Sequence, residues 1–292
     1  MTYQEALKSL IKTALAEDIG SGDITSQLLI PEDATAEMVF VAREPMVICG
    51  VDMPMLVYAE FEKPVVVRTL MKDGQLVGKS TIIATVSGDA RTLLAGERVS
   101  LNLMQRMSGV ATLTRRYVDA VAGTKARILD TRKTMPGLRV IDKYAVRMGG
   151  GVNHRMRLDD AVLVKDNHLA VRTGGEGVGI REVVEKVKKN LALIPHLSSP
   201  IPILVECDTL EQLVAVLPTK PDRIMLDNMT LDMMREAVKI TAGAVKLEAT
   251  GGVSLITVSA IAETGVDYIS VGAITHSAPA VDIGLDVKIN PV

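Results

Sequence analysis

The segment IPILVECDTLEQLVAVLPTKPDRIMLDN, residues 201–228, predicts a strand, a helix and a second strand in succession. Its two apolar runs, Ile203 to Val205 and Arg223 to Leu226, are short, and a helical pattern from Leu210 to Leu217 lies between them. Short continuous apolar runs are typical of strands that are covered on both faces. The strand–helix–strand order is typical of parallel sheets, so the segment predicts one βαβ unit.

The same alternation extends in both directions along the chain. Further strands are predicted at Ala126 to Leu129, Ala161 to Val164, Val245 to Leu247 and Tyr268 to Val271, and further helices at Ile180 to Leu193, Leu231 to Ile240 and Leu255 to Glu263. Charged residues follow five of the six strands, and no G-x-G-x-x-G motif follows the first, which disfavours an open dinucleotide-binding sheet. Because a barrel gathers all strand ends at one mouth, we predict an α/β barrel, incomplete because six strands are too few for eight βα units.

The first hundred residues have a different pattern. After an amphipathic opening helix, MTYQEALKSLIKTALAED, strands are predicted at Ala36 to Arg43, Pro64 to Leu70 and Ser80 to Gly88, with a turn at Lys72-Asp73-Gly74. The glycine spacing resembles that of lipoyl and biotinyl carrier domains. No lysine stands alone at a hairpin tip, however, so a structural role is favoured for this region.

A long helical pattern follows, from Ala90 to Val121. Its apolar stripe is interrupted at Ser108-Gly109, and the helical segment is expected to join the first region to the barrel.

The composition excludes several classes of protein. With 33 Lys and Arg, 35 Asp and Glu, a net charge of −2 and 2% aromatic residues, the chain has neither the basic excess nor the aromatic platforms of a nucleic-acid-binding domain. A hydrophobic content of 48% excludes disorder. The two cysteines, Cys49 and Cys207, provide no disulfide framework, and neither a membrane span nor a signal peptide is recognisable. We therefore expect a cytoplasmic protein that binds neither membrane nor nucleic acid.

The residues around the predicted barrel mouth form two charged groups. The cationic group consists of Arg132, Lys133, His154, Arg155 and Lys165. The acidic group is Glu206 and Asp227, with Glu248 expected nearby. Guanidinium groups bind carboxylates and phosphates bidentately, and paired carboxylates suit Mg²⁺ that is also held by substrate phosphate oxygens.

Glycines accompany both groups. The run Gly149-Gly150-Gly151 is predicted to be a flexible turn that places His154 and Arg155, and Gly251-Gly252 and Gly272 offer backbone N–H groups to a phosphate. Together the residues predict a site for a small polyanion and a phosphorylated, metal-bound partner.

Other interpretations remain open for these residues. The charged side chains could be halves of structural salt bridges, and the chain could be a non-catalytic protein that binds phosphorylated metabolites. Lys165 could form a Schiff base, as in barrel aldolases, although a charged setting next to Asp166 disfavours the lowered pKa that such a lysine needs. Four scattered histidines do not indicate a zinc site.

The segment LDTRKTMPGLRVIDKYAVRMGGGVNHRMRLDDAVLVKDNH, residues 129–168, closely resembles the signature of the quinolinate phosphoribosyltransferase family, also called nicotinate-nucleotide pyrophosphorylases (carboxylating). The resemblance continues through GERVSLN (96–102), VECDT (205–209), MLDNM (225–229), EATGGV (248–253) and ISVGAITHSAPAVD (269–282). It covers essentially the whole chain in order.

This resemblance implies an architecture and a reaction. It implies an N-terminal α/β sandwich domain (1–110) to which the C-terminal segment 278–292 returns, and an incomplete α/β barrel (111–277) that carries the active site. It also implies homodimers whose subunits share active sites. The implied reaction joins quinolinate to 5-phosphoribosyl-1-pyrophosphate with Mg²⁺, and it yields nicotinate mononucleotide, pyrophosphate and CO₂ for NAD biosynthesis.

The resemblance also implies a role for each site residue. Arg98 is implied to cross the dimer to a quinolinate carboxylate, and Arg132, His154, Arg155 and Lys165 to form the rest of that pocket. Lys133, Glu206 and Asp227 are implied to be catalytic, with Glu206 and Asp227 as metal ligands. The phosphoribosyl donor is implied to contact Thr131, Lys133, Lys165, Glu206, Asp227, Thr250, Gly251, Gly252, Ser270 and Gly272.

The chain departs from the family pattern at three places: Met135, Met148 and the charged stretch Arg157-Leu158-Asp159. The last adds charge near Arg155 and bears on substrate preference. A branch of the fold that is linked to molybdenum metabolism remains an alternative.

Overall fold

The computed structural model describes residues 3–168, 179–191, 193–194 and 201–288, and these fall into two units. The first lies within Met1–Arg115, Lys133–Gly151 and Ile274–Val292, and the second within Arg116–Arg132 and Val152–Ala273. The first unit thus includes residues 133–151. The sequence-based domain limits, 1–110 and 111–277, stay predictions, and the last four residues of the segment 278–292 lie outside the described part.

The helices in chain order are α1 (Tyr3–Ile19), α2 (Ile24–Leu29), α3 (Met53–Tyr58), α4 (Ala90–Ala120), α5 (Arg139–Met148), α6 (Ile180–Leu191), α7 (Leu210–Val216), α8 (Leu231–Thr241), α9 (Val258–Ala262) and α10 (Ala273–His276). The strands are β1 (Thr35–Ala42), β2 (Met46–Val47), β3 (Val65–Thr69), β4 (Leu76–Val77), β5 (Ile82–Asp89), β6 (Arg127–Leu129), β7 (Val162–Val164), β8 (Ile203–Cys207), β9 (Arg223–Asp227), β10 (Lys246–Thr250), β11 (Tyr268–Ser270) and β12 (Ile283–Val287). Within the described residues, every helix is too short or too polar to cross a lipid bilayer.

The first unit is built on a four-stranded antiparallel sheet in the order β12-β1-β5-β3. The three strands predicted here are confirmed as β1, β3 and β5, and the Lys72-Asp73-Gly74 turn is present, with Gly74 at a positive φ of 86°. After this turn the chain first forms β4, which pairs with β2, before it enters β5. Strands β2 and β4 are two residues long, too short for an alternating pattern to predict.

Helix α4 confirms the predicted helical segment and is continuous through Ser108 and Gly109, where the apolar stripe is interrupted. Both residues serve tertiary contacts. The Ser108 hydroxyl accepts a hydrogen bond from the Cys49 N–H (2.9 Å) and donates one to the Cys49 carbonyl (3.1 Å). A methyl group on Gly109 would overlap the carbonyl of Pro279, so glycine permits a close backbone approach here.

Gly109→Ala is expected to lower the free energy of unfolding by about 2 kcal/mol. The substitution gains up to about 1 kcal/mol of helix propensity, but it forces a methyl group into a backbone carbonyl that cannot rotate away. Urea unfolding followed by circular dichroism measures the difference. Gly78→Ala is the matched control, because a methyl group at Gly78 meets open space and φ there is not positive. Equal stability of the two variants would contradict the packing role.

The second unit contains a six-stranded, all-parallel sheet in the order β6-β11-β10-β9-β8-β7. All six predicted strands and the four predicted helices of this region are confirmed, and the sheet agrees with the predicted incomplete barrel. Helix α9 begins at Val258 rather than Leu255, and it is preceded by a turn in which Ser254 and Thr257 exchange side-chain to backbone hydrogen bonds. Helix α6 ends at Leu191, and residue 192 of the predicted helix lies outside the described part.

Candidate active site

The strands of the second unit bring most of the predicted site residues to one edge of the sheet. Glu206 lies within β8, and Asp227, Thr250 and Ser270 each end a strand. Lys165 directly follows β7, and the strands of a parallel sheet end on the same side. The register places Thr250 opposite Asp227 on the neighbouring strand. The edge therefore collects the charged groups as the sequence predicted.

Arg132 and Arg155 are near enough for their charges to interact. The pKa of Arg155 is lowered, first by burial and then by the positive charge of Arg132, while Asp160 opposes this shift. Arg132 Nε and Nη1 are both buried, and Arg155 Nη1 donates to the Ala161 carbonyl at 2.9 Å. Two partly desolvated guanidinium groups repel each other, so an anion that contacts both would be bound favourably.

The backbone before Arg155 is fixed by a buried carboxylate. Asp130, which is fully buried, accepts hydrogen bonds from the His154 N–H (2.8 Å) and from the Asn153 side-chain amide (2.5 Å). The Arg155 N–H in turn donates to His154 Nδ1 at 2.8 Å. Asp130 lies within the segment 129–168 of the sequence analysis, which gave it no role because its burial depends on packing.

The glycine run before His154 forms a turn, as predicted, with Gly150 at a positive φ of 92°, and its neighbours are closely packed. In the first unit, Gly149 lies against helix α4, where a methyl group would overlap the backbone of Ala111 and the side chain of Thr114. A methyl group on Gly151 would come within 2.8 Å of the Thr114 and Val146 side chains. The glycines are therefore needed for close packing rather than for flexibility.

Lys165 and three of the strand-end carboxylates interact directly or through their charge. Lys165 Nζ donates to Glu206 Oε2 at 2.8 Å, so the structure pairs Lys165 with a predicted metal ligand. Burial raises the pKa of Glu206, and the Lys165 hydrogen bond and charge oppose the shift. The charges of Asp227 and Asp166 raise it further. This contact keeps Lys165 in a charged environment, which argues against a Schiff-base lysine.

Asp208 is a further member of the group of carboxylates at the strand ends of the second unit. Its pKa is raised by burial, then by Asp227 and Asp166. Asp166 and Asp208 were not assigned to the site from the sequence, although Asp208 directly follows β8 and Asp166 is the second residue after β7, which was the available signal. Among the described residues, no three or more His, Cys, Asp or Glu side chains are arranged to hold a metal ion by themselves.

Glu248 was expected near Glu206 and Asp227, but its side chain contacts other residues. It is fully buried and accepts hydrogen bonds from Arg223 Nη1 (2.5 Å) and from the Ser270 hydroxyl. His154 Nε2 lies 3.6 Å from its Oε2. The reason is geometric: Glu206 and Glu248 pair with Met225 from opposite sides, so the two carboxylates stand two strands apart in the sheet.

The turn after β10 packs on the loop after β9. Gly251 (φ 88°) leaves no room for a methyl group beside Asn228, whose N–H donates to the Thr250 carbonyl at 3.0 Å. The Asn228 side-chain amide donates to Asp227 Oδ2 at 2.8 Å, a contact that the sequence analysis missed. A methyl group on Gly252 would meet nothing within 4 Å. The contacts with the phosphoribosyl donor that were predicted for Thr250, Gly251 and Gly252 stay predictions. The same holds for those of Thr131, Ser270 and Gly272.

Two predicted site residues belong to the first unit. Arg98 lies on α4 with 55% of its side chain exposed, and its Nη2 is 3.6 Å from Glu97 Oε1. Lys133 is exposed, and its carbonyl accepts a hydrogen bond from the Thr275 hydroxyl at 2.7 Å. Their predicted roles stay predictions.

The charged departure at 157–159 is compensated locally. Arg157 Nε donates to Asp159 Oδ1 at 2.9 Å on the surface, and Asp160 accepts the N–H groups of Met156 and Arg157. The positive charge of Arg157 and the negative charge of Asp159 therefore largely cancel, so that their combined effect on Arg155 is small.

Comparison with known proteins agrees with this architecture over the whole chain. The family model described as "Quinolinate phosphoribosyl transferase, N-terminal domain" matches residues 23–108, and the model for the C-terminal domain of the same family matches residues 110–286. The "Nicotinate-nucleotide pyrophosphorylase [carboxylating]" of Mycobacterium leprae is 45% identical over 289 residues, which cover 97% of this chain and 98% of that protein.

Solved structures are similar over the same extent. The nicotinate-nucleotide pyrophosphorylase of Francisella tularensis is 39% identical with a TM-score of 0.88, covering 99% of this chain and 98% of that one. The corresponding protein of Ehrlichia chaffeensis is also 39% identical with a TM-score of 0.88, covering 99% of both chains. The fold, the strand-end charges and these matches define an enzyme of the phosphoribosyltransferase class. The chain belongs to the quinolinate phosphoribosyltransferase (decarboxylating) family of de novo NAD biosynthesis.

Proposed function

We propose that this chain transfers the phosphoribosyl group of 5-phosphoribosyl-1-pyrophosphate to quinolinate, with loss of CO₂. The observation that carries the proposal is the placement of two arginines: Arg132 has buried Nε and Nη1 atoms, and Arg155, which is held by the Ala161 carbonyl, is near enough for the two charges to interact. Quinolinate has two adjacent carboxylates. A dicarboxylate can contact both guanidinium groups and relieve their repulsion, which a monocarboxylate does less well.

The carboxylates Glu206 and Asp227 are proposed to hold Mg²⁺ together with oxygens of the pyrophosphate. The donor set fits this ion, because carboxylate oxygens are the ligands that Mg²⁺ prefers and two of them suffice when a substrate supplies phosphate oxygens. The charge of Asp227 raises the pKa of Glu206, and a cation placed between them would reverse that effect. When bound, Mg²⁺ neutralises charge on the departing pyrophosphate.

The proposed reaction needs positioning and charge complementarity rather than a protein nucleophile. The pyridine nitrogen of quinolinate forms a bond to ribose C1 as the bond from C1 to the pyrophosphate oxygen breaks. The carboxylates stabilise positive charge at C1, and the arginines orient the ring. The bond from ring carbon 2 to its carboxylate then breaks, CO₂ leaves, the electron pair stays on the pyridinium ring, and a proton from water adds at that carbon.

Purified protein with quinolinate, the phosphoribosyl donor and Mg²⁺ is expected to produce equal amounts of nicotinate mononucleotide and CO₂. Product is measured by chromatography and CO₂ by release from carboxyl-labelled quinolinate. Arg155→Ala should lose most of this activity, whereas Arg157→Ala should keep it, because Arg157 is exposed and compensated by Asp159. Absence of nicotinate mononucleotide above a reaction without enzyme would refute the proposed function.

We also propose a homodimer in which Arg98 of one subunit completes the site of the other. The exposure of the Arg98 side chain supports this proposal, because a residue that serves a partner subunit must reach the surface of its own chain. A cytoplasmic location, expected from the sequence, remains part of the same proposal.

A further inference from the structure

The first unit contains a buried ion pair that the proposed reaction does not use. Asp142 of α5 is fully buried and accepts hydrogen bonds from Arg106 Nε (3.0 Å) and Arg106 Nη2 (3.1 Å). Burial raises the pKa of Asp142, and the Arg106 hydrogen bonds and charge oppose the shift. Buried ion pairs are often no more stabilising than apolar side chains of the same volume. The pair is therefore not explained by stability alone.

Further polar contacts of this ion pair are with backbone groups. Arg106 Nη2 donates to the Thr275 carbonyl, and the Met135 N–H donates to the Asp142 carboxylate. The fully buried Thr275 hydroxyl in turn donates to the Lys133 carbonyl at 2.7 Å. All five residues belong to the first unit. The backbone from Lys133 to Met135 is thereby joined to α4, α5 and α10.

The backbone at Lys133 needs such contacts, because residues 133–135 lie in neither a helix nor a strand. A peptide unit is planar, so the Lys133 carbonyl and the Lys133 Cα move together. A hydrogen bond to this carbonyl therefore limits the movement of the atom from which the lysine side chain extends. The next side chain is held as well, since Thr134 Oγ1 accepts a hydrogen bond from Arg139 Nε at 3.1 Å.

We propose that Thr275 is a positioning residue for Lys133, and that the Arg106–Asp142 pair holds Thr275 and Met135 in place for this role. The inference rests on the proposed role of Lys133 in binding the phosphoribosyl donor. A lysine ammonium is a compact charge, so its attraction to a phosphate oxygen falls as the two are moved apart. A fixed Cα keeps the ammonium within reach of the donor.

A purely structural role for these contacts has different consequences. If the Thr275 hydroxyl only stabilises the first unit, its removal should lower the melting temperature without separating the two substrates. If Thr275 positions Lys133, its removal should weaken binding of the phosphoribosyl donor alone. The effect should also disappear once the Lys133 side chain has been removed.

The main variant is Thr275→Val, which keeps the shape of the side chain and removes the hydroxyl. The KM for the phosphoribosyl donor should rise about tenfold, and the KM for quinolinate should stay within about twofold of wild type. Thr275→Ser keeps the hydroxyl and should hold both KM values within about twofold of wild type. Equal increases of the two KM values in Thr275→Val would overturn the proposal.

Thr264→Val is the matched control. The Thr264 hydroxyl is also buried and donates to a backbone carbonyl, that of Ile261, at 2.6 Å. Thr264 precedes β11, whereas the candidate site lies beyond the ends of the strands. Thr264→Val should lower the melting temperature about as much as Thr275→Val and leave both KM values unchanged. A rise in the donor KM in both variants would contradict a specific role for Thr275.

A double variant tests whether Thr275 acts through Lys133. Calorimetry gives the dissociation constant of the phosphoribosyl donor for Lys133→Ala with and without Thr275→Val. The two constants should agree within about twofold, because the side chain that Thr275 positions is already absent. If Thr275→Val weakens binding as much in this background as in the wild type, Thr275 does not act through Lys133.

Amide hydrogen exchange of the substrate-free protein is a readout that needs no activity. The Met135 N–H should be protected in the wild type, and Thr275→Val should speed exchange at Thr134 and Met135. Should Thr275→Val fail to fold, the wild type still decides, since a Met135 amide that exchanges like an unstructured peptide refutes the proposal. These rates are independent of the proposed function, which would fail separately if the wild type makes no nicotinate mononucleotide.

Discussion

Quinolinate is expected to be used about 30-fold to several thousand-fold more efficiently than nicotinate, compared as kcat/KM. Nicotinate lacks the second carboxylate, so one charge-assisted contact to the Arg132–Arg155 pair is lost. Loss of one partner of a desolvated charge pair costs about 2–5 kcal/mol, which corresponds to this range at about 1.4 kcal/mol per tenfold. Arg132 Nε and Nη1 are buried, so water compensates poorly for such a loss.

The variant Arg155→Ala separates carboxylate recognition from general damage. It should lower kcat/KM for quinolinate to near the value for nicotinate and change the nicotinate value little. Arg157→Ala, at an exposed arginine two residues away, should leave the discrimination unchanged. Comparable efficiency of the wild type with both acids would show that the arginine pair does not recognise a dicarboxylate.

Mixing inactive Arg98→Ala and Glu206→Ala chains is expected to restore activity, toward about half of wild type per mixed dimer. If Arg98 reaches into the partner's site, one site of the mixed dimer carries both lesions and the other carries neither. Each variant alone should be nearly inactive. This contribution in trans is possible because 55% of the Arg98 side chain is exposed. Its Nη2 lies 3.6 Å from Glu97 Oε1 at the surface.

Two controls make the mixing experiment specific. Glu206→Ala mixed with Asp227→Ala should restore nothing, because both residues belong to the same unit of one chain and each site then keeps one lesion. Glu97→Ala should remain active, whereas a purely local role for Arg98 predicts equal damage from both. If native mass spectrometry shows mixed dimers and no activity returns, Arg98 acts within its own subunit.

The strands of the second unit could be predicted because their signals are local. Each of the six predicted runs is mainly apolar, three or four residues long and bounded by charged or turn residues, a pattern that depends on neighbouring residues alone. The edge of the sheet that carries the candidate site could be predicted from the same pattern, because parallel strands end on the same side of a sheet however they are packed. The positions of Lys165, Glu206 and Asp227 were therefore predictable.

Features that depend on residues distant in the chain were not predictable. Ser108 and Gly109 look like helix breakers until Cys49 and Pro279 are seen to pack against them. The glycines at 149 and 151 look like a flexible turn until α4 is seen beside them. In both cases, tertiary contacts outweigh a local preference of about 1 kcal/mol.

By itself, the sequence determined the family, the alternation of strands and helices, and the two charged groups at the strand ends. The tertiary structure decided which charges meet: Arg132 with Arg155, Lys165 with Glu206, and Glu248 with Arg223 and His154. The physical reason is that a partner is selected by burial and distance in space. A carboxylate within a covered strand must find its cation among neighbouring strands, and only packing brings those strands together.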